Sequence, residues 1–442
     1  MNQYNTLIIN NLCPSAIKIA ATKRSHHIMS KTLGLASLFL LFSFTADPIK
    51  LNMKEVLATA QKDERFVLNN QTLALAKGLN YHLPLLQKLD FRLGTDDYGL
   101  GQNQYGIGLS FNTFKQIKRL KDYQQVQTGV IEAQNNLYLQ QSLMDRYECL
   151  YDMFFNKQLI KQYNELDTLL NKKNTVLKEQ ILRGMDVRIK DVVDNETDRY
   201  ATQKILKTYE REWQERYQKL LLLTKQKELD IDFKRFIDYK IIESVVVALP
   251  SFVDANSPEM QIRLNQVALS KAELGIEKAD NFRIFNGLQL GLEKKPKDDL
   301  LQNPFFRLNL SVPLMGNMRF KQNELLLQIK DYENRSQLLK TSLQQNAKTQ
   351  TISLKKLIDE HKSMISQQEK SLIQTLLANK KITAEMTASD LLDLKIIQRK
   401  GQIDITKSAF SLTQDYISLL NQTGVLVNPP MKNYLSQDLE HL

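Results

Sequence analysis

The chain has 442 residues, a net charge of +11, 25% charged residues and 42% apolar ones. That length allows two or three ordinary domains, and the composition excludes both a disordered chain and an all-helical membrane protein. Lys and Arg are dispersed among Glu and Asp with no run of five or six like charges, so the positive balance reads as a solvated helical surface, and no nucleic-acid partner is expected.

The first 46 residues carry Lys18, Lys23, Arg24 and Lys31 and no acid. From Met29 the sequence has a lysine, an apolar stretch from Leu33 to Phe44 and small residues at Ser43, Thr45 and Ala46, the pattern of a secretory signal. That stretch is too short for a helix crossing a bilayer about 30 Å thick. Residues 1–46 are therefore read as a leader region, with Met29 a possible start. Residues 51–83 read as helix, broken by Pro84.

Strands follow. Leu89, Phe91 and Leu93 alternate with Asp90 and Arg92, which is the two-residue period of a strand. A turn-rich link from Thr95 to Asn103 leads to a second strand, in which Tyr105, Ile107, Leu109 and Phe111 oppose Gln104, Gly106, Gly108 and Ser110. From Asn112 to Arg183 the chain has one glycine, Gly129, and no proline, so it reads as a single long helix. Helical patterning breaks over 183–191, which contains Gly184, Met185 and Asp186, and resumes from about Asp191 to Lys227. Leu229 to Ala255 is less regular and is taken as the junction between two halves.

The second half repeats the first. A helix begins near Asn265, and Leu288, Leu290 and Leu292 alternate with Gln289, Gly291 and Glu293. After a second turn-rich link, Phe306, Leu308, Leu310 and Val312 alternate with Arg307, Asn309 and Ser311. Asn317 to Lys400 contains neither glycine nor proline. At 1.5 Å per residue, the part up to Ile382 predicts a helix of roughly 100 Å. Its apolar positions fall three, four or seven apart, the spacing of rods packed lengthwise, with Ala347, Gln350 and His361 interrupting the seam. Leu109-Ser110 corresponds to Leu310-Ser311, and Asp191-Val192 to Asp390-Leu391, so the unit recurs after about 200 residues. The organisation expected is a leader (1–46), a first repeat (47–228), an inter-repeat segment (229–256), a second repeat (257–426) and a tail (427–442).

The strands have one apolar and one polar face, and the neighbouring elements are rods that run away from them. Lipid can cover the apolar face, as in transmembrane barrels. No backbone edge is tolerated in hydrocarbon, and single-chain barrels start at about 8 strands, so four strands must close with sister copies. Three copies give about 12 strands around a pore.

At this point the sequence resembles the TolC family of outer-membrane efflux proteins over about residues 50 to 425. The resemblance rests on Ser257-Pro-Glu-Met260 and Leu310-Ser-Val-Pro-Leu-Met-Gly316 in the second copy, on Leu109-Ser-Phe-Asn-Thr-Phe114 without the proline in the first, and above all on the order and spacing of the elements. It implies a mainly α fold with a membrane β-barrel portion. Four strands per chain would close a 12-stranded barrel in a homotrimer, above a coiled-coil helical tunnel across the periplasm of a Gram-negative bacterium. It implies a passive exit duct for an efflux pump or a type I secretion system. The partners would be a periplasmic adaptor (membrane fusion) protein, an inner-membrane pump and outer-membrane lipid. Lipid-facing residues would be Tyr105, Ile107, Leu109, Leu288, Leu290, Phe306, Leu308 and Leu310. The periplasmic entrance and adaptor contact would involve Gly184, Met185, Asp186, Asp191, Ser389 and Asp390, the aspartates being candidates for a ring that favours cations.

No enzymatic activity is expected. Gly99-Leu-Gly101 and Gly106-Ile-Gly108 lack a following helix N-terminus, and no Gly-x-Ser-x-Gly, His-Glu-x-x-His or Gly-Lys-Ser/Thr sequence occurs. Cys13 and Cys149 give no disulfide or thiolate metal framework, and the histidines show no ligand spacing beyond His26-His27, so no cofactor or metal is expected. The alternative from another class is a secreted or periplasmic coiled-coil scaffold without a pore. It requires the apolar strand faces to be covered by the chain's own helices.

Overall fold

The structure is a computed structural model and describes residues 49–79, 84–95, 103–249, 257–281, 285–294, 304–310 and 316–442. The leader, most of the two strand–strand links, and Ser311 to Met315 of the phrase before the second rod lie outside the described residues.

The opening region differs from the single helix expected. Strand β1 (Ile49–Asn52) leads into helix α1 (Met53–Ala58), a 3-10 turn (Thr59–Lys62) and α2 (Glu64–Gly78). Local side chains cause the breaks. Asn52 accepts from the Glu55 N–H at 2.8 Å, and the Asn52 N–H donates back to the Glu55 carboxylate at 2.8 Å, a reciprocal cap that fixes a helix start. Asp63 caps α2 by accepting from the Arg65 N–H at 3.0 Å.

Strands β2 (Leu86–Thr95) and β3 (Asn103–Phe111) precede the first rod, α3 (Phe114–Leu182). This helix has 69 residues, about 100 Å at the standard rise, and starts on a Thr113–Gln116 capping box. Helix α4 (Ile189–Thr224) returns alongside it. Strand β4 (Leu229–Asp232) pairs in parallel with β1, from Ile49–Leu229 to Asn52–Asp232, and α5 (Tyr239–Ala248) follows.

The second half contains α6 (Pro258–Asn281), β5 (Phe285–Lys294), β6 (Pro304–Leu310) and the second rod, α7 (Gly316–Glu369). This rod ends earlier than expected. Ser371 accepts from the Ile373 N–H and starts α8 (Leu372–Ala378), and Asn379 accepts from the Lys381 N–H and starts α9 (Lys380–Glu385). Short polar side chains that bond their own backbone compete with helix continuation, which periodicity alone cannot register. The final helix is α10 (Ala388–Gln422).

Four strands form one antiparallel sheet in the order β2-β3-β5-β6, which leaves β2 and β6 as its edges. Helix α3 is flanked by α2 and α6 toward the sheet and by α4 and α10 toward the far end, and α7 packs on α6 and α10. The thickest core lies between these zones, at the waist of the chain. There Tyr147, Leu150 and Tyr151 of α3 meet Val56 and Leu57 of α1, Ile242 of α5, Leu354 and Ile358 of α7, and Leu412 and Tyr416 of α10. Phe154 stacks on Phe236 with centroids 3.7 Å apart. Residues 427–442 also pack here. The Ile237 N–H donates to the Leu435 carbonyl at 2.8 Å, and the Tyr147 hydroxyl donates to the Lys432 carbonyl at 2.9 Å.

Arg146 is fully buried in this waist. Its guanidinium donates to the Thr59 hydroxyl (2.8 Å), the Thr59 carbonyl (3.2 Å), the Ser142 carbonyl (2.9 Å) and the Leu223 carbonyl (2.8 Å), so one cation satisfies helix-end carbonyls from two other elements. Away from the waist the seams are narrow. Leu159, Tyr163, Leu166 and Leu170 meet Ile396 and Ile403 on one side, and Leu274 meets Leu325 and Ile329 on the other. The residues that interrupt the apolar seam of α7 join the contact instead: Ala347 and His361 are buried, His361 Nδ1 lies 3.1 Å from the Ser408 hydroxyl, and the Gln350 amide donates to the Ser418 hydroxyl at 3.1 Å.

Candidate functional site

Cross-strand register decides what the sheet offers. Phe91 stands opposite Ile107, Ile107 opposite Leu290, and Leu290 opposite Phe306. Adjacent rows are Leu89–Leu109–Leu288–Leu308 and Leu93–Tyr105–Leu292. Strand side chains alternate between faces, so this pairing gathers all the apolar positions onto one continuous surface. The surface is uncovered: Phe91, Ile107, Leu290 and Phe306 are 73%, 45%, 50% and 63% exposed. Tyr105, Leu308 and Leu310 are also exposed, while Leu109 and Leu288 are half-buried. A contiguous apolar patch of this kind marks a membrane or protein contact. The pore-free scaffold needs these residues dry-packed under the chain's own helices, and they are not.

The opposite face is polar and crowded with glycine. Gly106, Gly108 and Gly291 share it with Lys88, Asp90, Ser110, Gln289, Arg307 and Asn309, and Lys88 forms an ion pair with Asp90. Phe305 also falls on this side, out of phase with the apolar set. Alternation marks only Phe306 in that dipeptide, and Phe305 is placed by its pairing opposite Gly291.

At the far end, the α3–α4 turn is built on Gly184. Its φ is +71°, the Met185 N–H reaches the Gln180 carbonyl at 3.0 Å, and the Gly184 N–H reaches the Ile181 carbonyl at 3.0 Å. This is a helix-ending motif with a left-handed residue, where glycine avoids the Cβ penalty. No atom lies within 4 Å of a Cβ built at Gly184, so tight packing is not the reason for it. Met185 and Asp186 are exposed, and Ile181, Leu182, Ile189 and Val193 form an apolar collar around the same turn. Reading the turn from Gly184 and its aspartates overlooked this collar, whose signal is apolar residues flanking a glycine in a charged stretch.

The aspartates at these turns have local work. Both oxygens of Asp191 accept from the Arg188 guanidinium at 3.0 Å. Asp390 accepts from the Thr387 hydroxyl at 2.6 Å, and its N–H donates back at 3.2 Å, closing the start of α10 with Ser389 beside it. Lys173 of α3 binds Asp393 of α10 at 2.6 Å, and Asn174 binds Glu196 of α4 at 2.6 Å, so both turns stand at the same end of α3.

Among the described residues, no helix is long and apolar enough to cross a membrane. The chain thus carries a bare apolar β-face at one end of a helical shaft about 100 Å long. Known structures share that plan. The outer-membrane channel OprN matches over 84% of this chain and 89% of its own, with a TM-score of 0.61 and 12% identity. VceC, an outer membrane protein of Vibrio cholerae, matches over 84% and 96%, with a TM-score of 0.58 and 10% identity. The CmeC outer membrane channel of Campylobacter jejuni matches over 88% and 87%, with a TM-score of 0.55 and 11% identity. No known family profile matches the chain, and no curated protein matches it. The fold is therefore that of the TolC-type outer-membrane channels, as the order of elements in the sequence implied.

Proposed function

We propose that the chain is one of three identical subunits of an outer-membrane exit duct that serves an efflux pump or a type I secretion system. The observation that carries this reading is the coincidence of two kinds of open flank. Strands β2 and β6 are unpaired edges of the sheet. On the helical side, α2 exposes Leu68 and Leu75, and α7 exposes Phe320, Leu327 and Leu338. The first edge of the sheet and of the shaft both come from the first repeat, and the second edge of both from the second. A head-to-tail ring pairs β6 with β2 and α7 with α2 of the next copy, and closes every backbone edge that hydrocarbon forbids. Two copies give 8 strands, whose interior is just filled by side chains, whereas three give about 12 and leave a passage.

In this arrangement Tyr105, Ile107, Leu109, Leu288, Leu290, Phe306, Leu308 and Leu310 face outer-membrane lipid. The turns at Gly184–Asp191 and Ser389–Asp390, with their apolar collar, form the periplasmic entrance that meets an adaptor protein. The duct is passive, and its energy comes from an inner-membrane pump reached through that adaptor. The test is photo-crosslinking in cells from Met185 and Ser389, together with the mass of the detergent-extracted outer-membrane species. A mass of three chains and capture of a periplasmic adaptor support the reading. A detergent-independent monomer in the soluble fraction refutes it.

A further inference from the structure

Across the polar face of the sheet, residues stand in rows. One row is Asp90–Gly108–Gln289–Arg307, and the next is Arg92–Gly106–Gly291–Phe305. In the second row the two central positions have no side chain, and the space is used from the edge. The Phe305 ring lies against Gly291 so closely that a Cβ there would overlap it, and it reaches to 3.6 Å from a Cβ built at Gly106. The Nε2 of Gln289, itself buried, lies 3.0 Å from that same built Cβ. Phe305 is thus laid flat over two neighbouring strands, and Arg307 sits on top of it with its guanidinium carbon 4.7 Å from the ring centroid. Asp90 in the first row is paired with Lys88. Arg307 has no carboxylate partner among the described residues and is exposed.

We propose that Arg307, held over Phe305, sets the ion preference of the barrel and turns it toward anions. The inference rests on the channel reading, because only barrel closure places this face around a lumen. Three-fold symmetry then puts three guanidinium groups at one height, the kind of cationic ring that favours anions in a pore. Arg307 is the charge-bearing residue, and Phe305 is its positioning residue. Gly291 leaves the room that the ring occupies.

The experiment is single-channel recording of the purified oligomer in a planar bilayer under a KCl gradient, with the Cl⁻/K⁺ permeability ratio read from the reversal potential. A ring about 10 Å from the axis, screened over about 10 Å at 0.1 M salt, changes the energy of Cl⁻ and of K⁺ by about 0.5 kcal/mol in opposite directions, and so predicts a roughly fivefold fall in that ratio for Arg307→Gln and a larger fall for Arg307→Glu. Phe305→Leu should fall between wild type and Arg307→Gln by releasing the guanidinium, and Phe305→Tyr should keep the wild-type ratio. Reading individual channels removes any effect of poor insertion. Wild-type channels that conduct, with ratios unchanged in both Arg307 variants, overturn the proposal and leave the channel reading standing. A wild-type oligomer that never conducts overturns both.

Discussion

Replacing Leu290 by arginine separates a lipid-facing strand from an ordinary protein surface. Leu290 is half exposed at the centre of β5, between Ile107 and Phe306, in a row that Phe91 completes. On a soluble surface, a substitution at such a site changes stability by within about 0.5 kcal/mol. On the lipid face of a barrel, arginine near the midplane costs about 2–4 kcal/mol. Three copies put that cost in one ring at the same depth, about 6–12 kcal/mol per assembly. Expression of Leu290→Arg should therefore abolish recovery of a heat-resistant oligomer from the outer-membrane fraction. Asn309→Arg, three positions along β6 from Phe306 and on the polar face, should assemble normally. The assay is membrane fractionation followed by semi-denaturing electrophoresis. If Leu290→Arg assembles as well as Asn309→Arg, the apolar face does not meet lipid and the barrel argument fails.

Other perturbations test the shaft. Arg146→Ala removes the partner of the half-buried Thr59 and Leu223 carbonyls and should cost about 2–3 kcal/mol in thermal or denaturant unfolding; Arg146→Lys, which has one nitrogen to offer, should restore less than half. Gly184→Ala should cost about 1 kcal/mol because of its positive φ alone, and Gly184→Asn clearly less, so equal melting temperatures for the two would contradict the assigned turn. Burial raises the Asp152 carboxyl to about 6 even though the Arg216 guanidinium lies 2.6 Å away. The folded chain thus holds this proton more tightly than the unfolded one. The stabilising contribution is present below the ordinary carboxylate range and is lost as pH rises through about 6. Asp152→Asn should flatten that part of the melting-temperature profile, and an unchanged slope would show that Asp152 does not titrate there.

Much of the architecture was legible because two periods are strong. The two-residue alternation at 89–93, 105–111, 288–292 and 306–310 places the strands, and their register shows that the apolar positions form one surface. The long helices were legible from what they lack, since few residues break them. What periodicity missed was set by local caps or distant pairing. Asn52 and Asp63 divide the expected first helix, and Ser371 and Asn379 divide the end of the second rod, each through a side chain bonded to nearby backbone. Strand β1 exists because residues 49–52 find 229–232, a partner about 180 positions away that no window on the sequence contains. At the α3–α4 turn, Gly184 was visible as a breaker, but the pairing of Asp191 with Arg188 required coordinates. Phe305 was invisible to alternation because its role depends on two glycines from other strands.

The waist and the shaft differ in stiffness, and this has a mechanical consequence. Near the middle, five or more elements interlock around Tyr147 and Arg146, so the rods are clamped there like beams set into a wall. Toward the Gly184 end they are joined by a thin strip of Leu and Ile and by solvent-washed pairs such as Lys400–Asp198. Such pairs are worth about 0–1 kcal/mol each and weaken with salt. A partner that pushes on the tips works against a long lever with weak fastenings, and can splay them while the clamp stays shut.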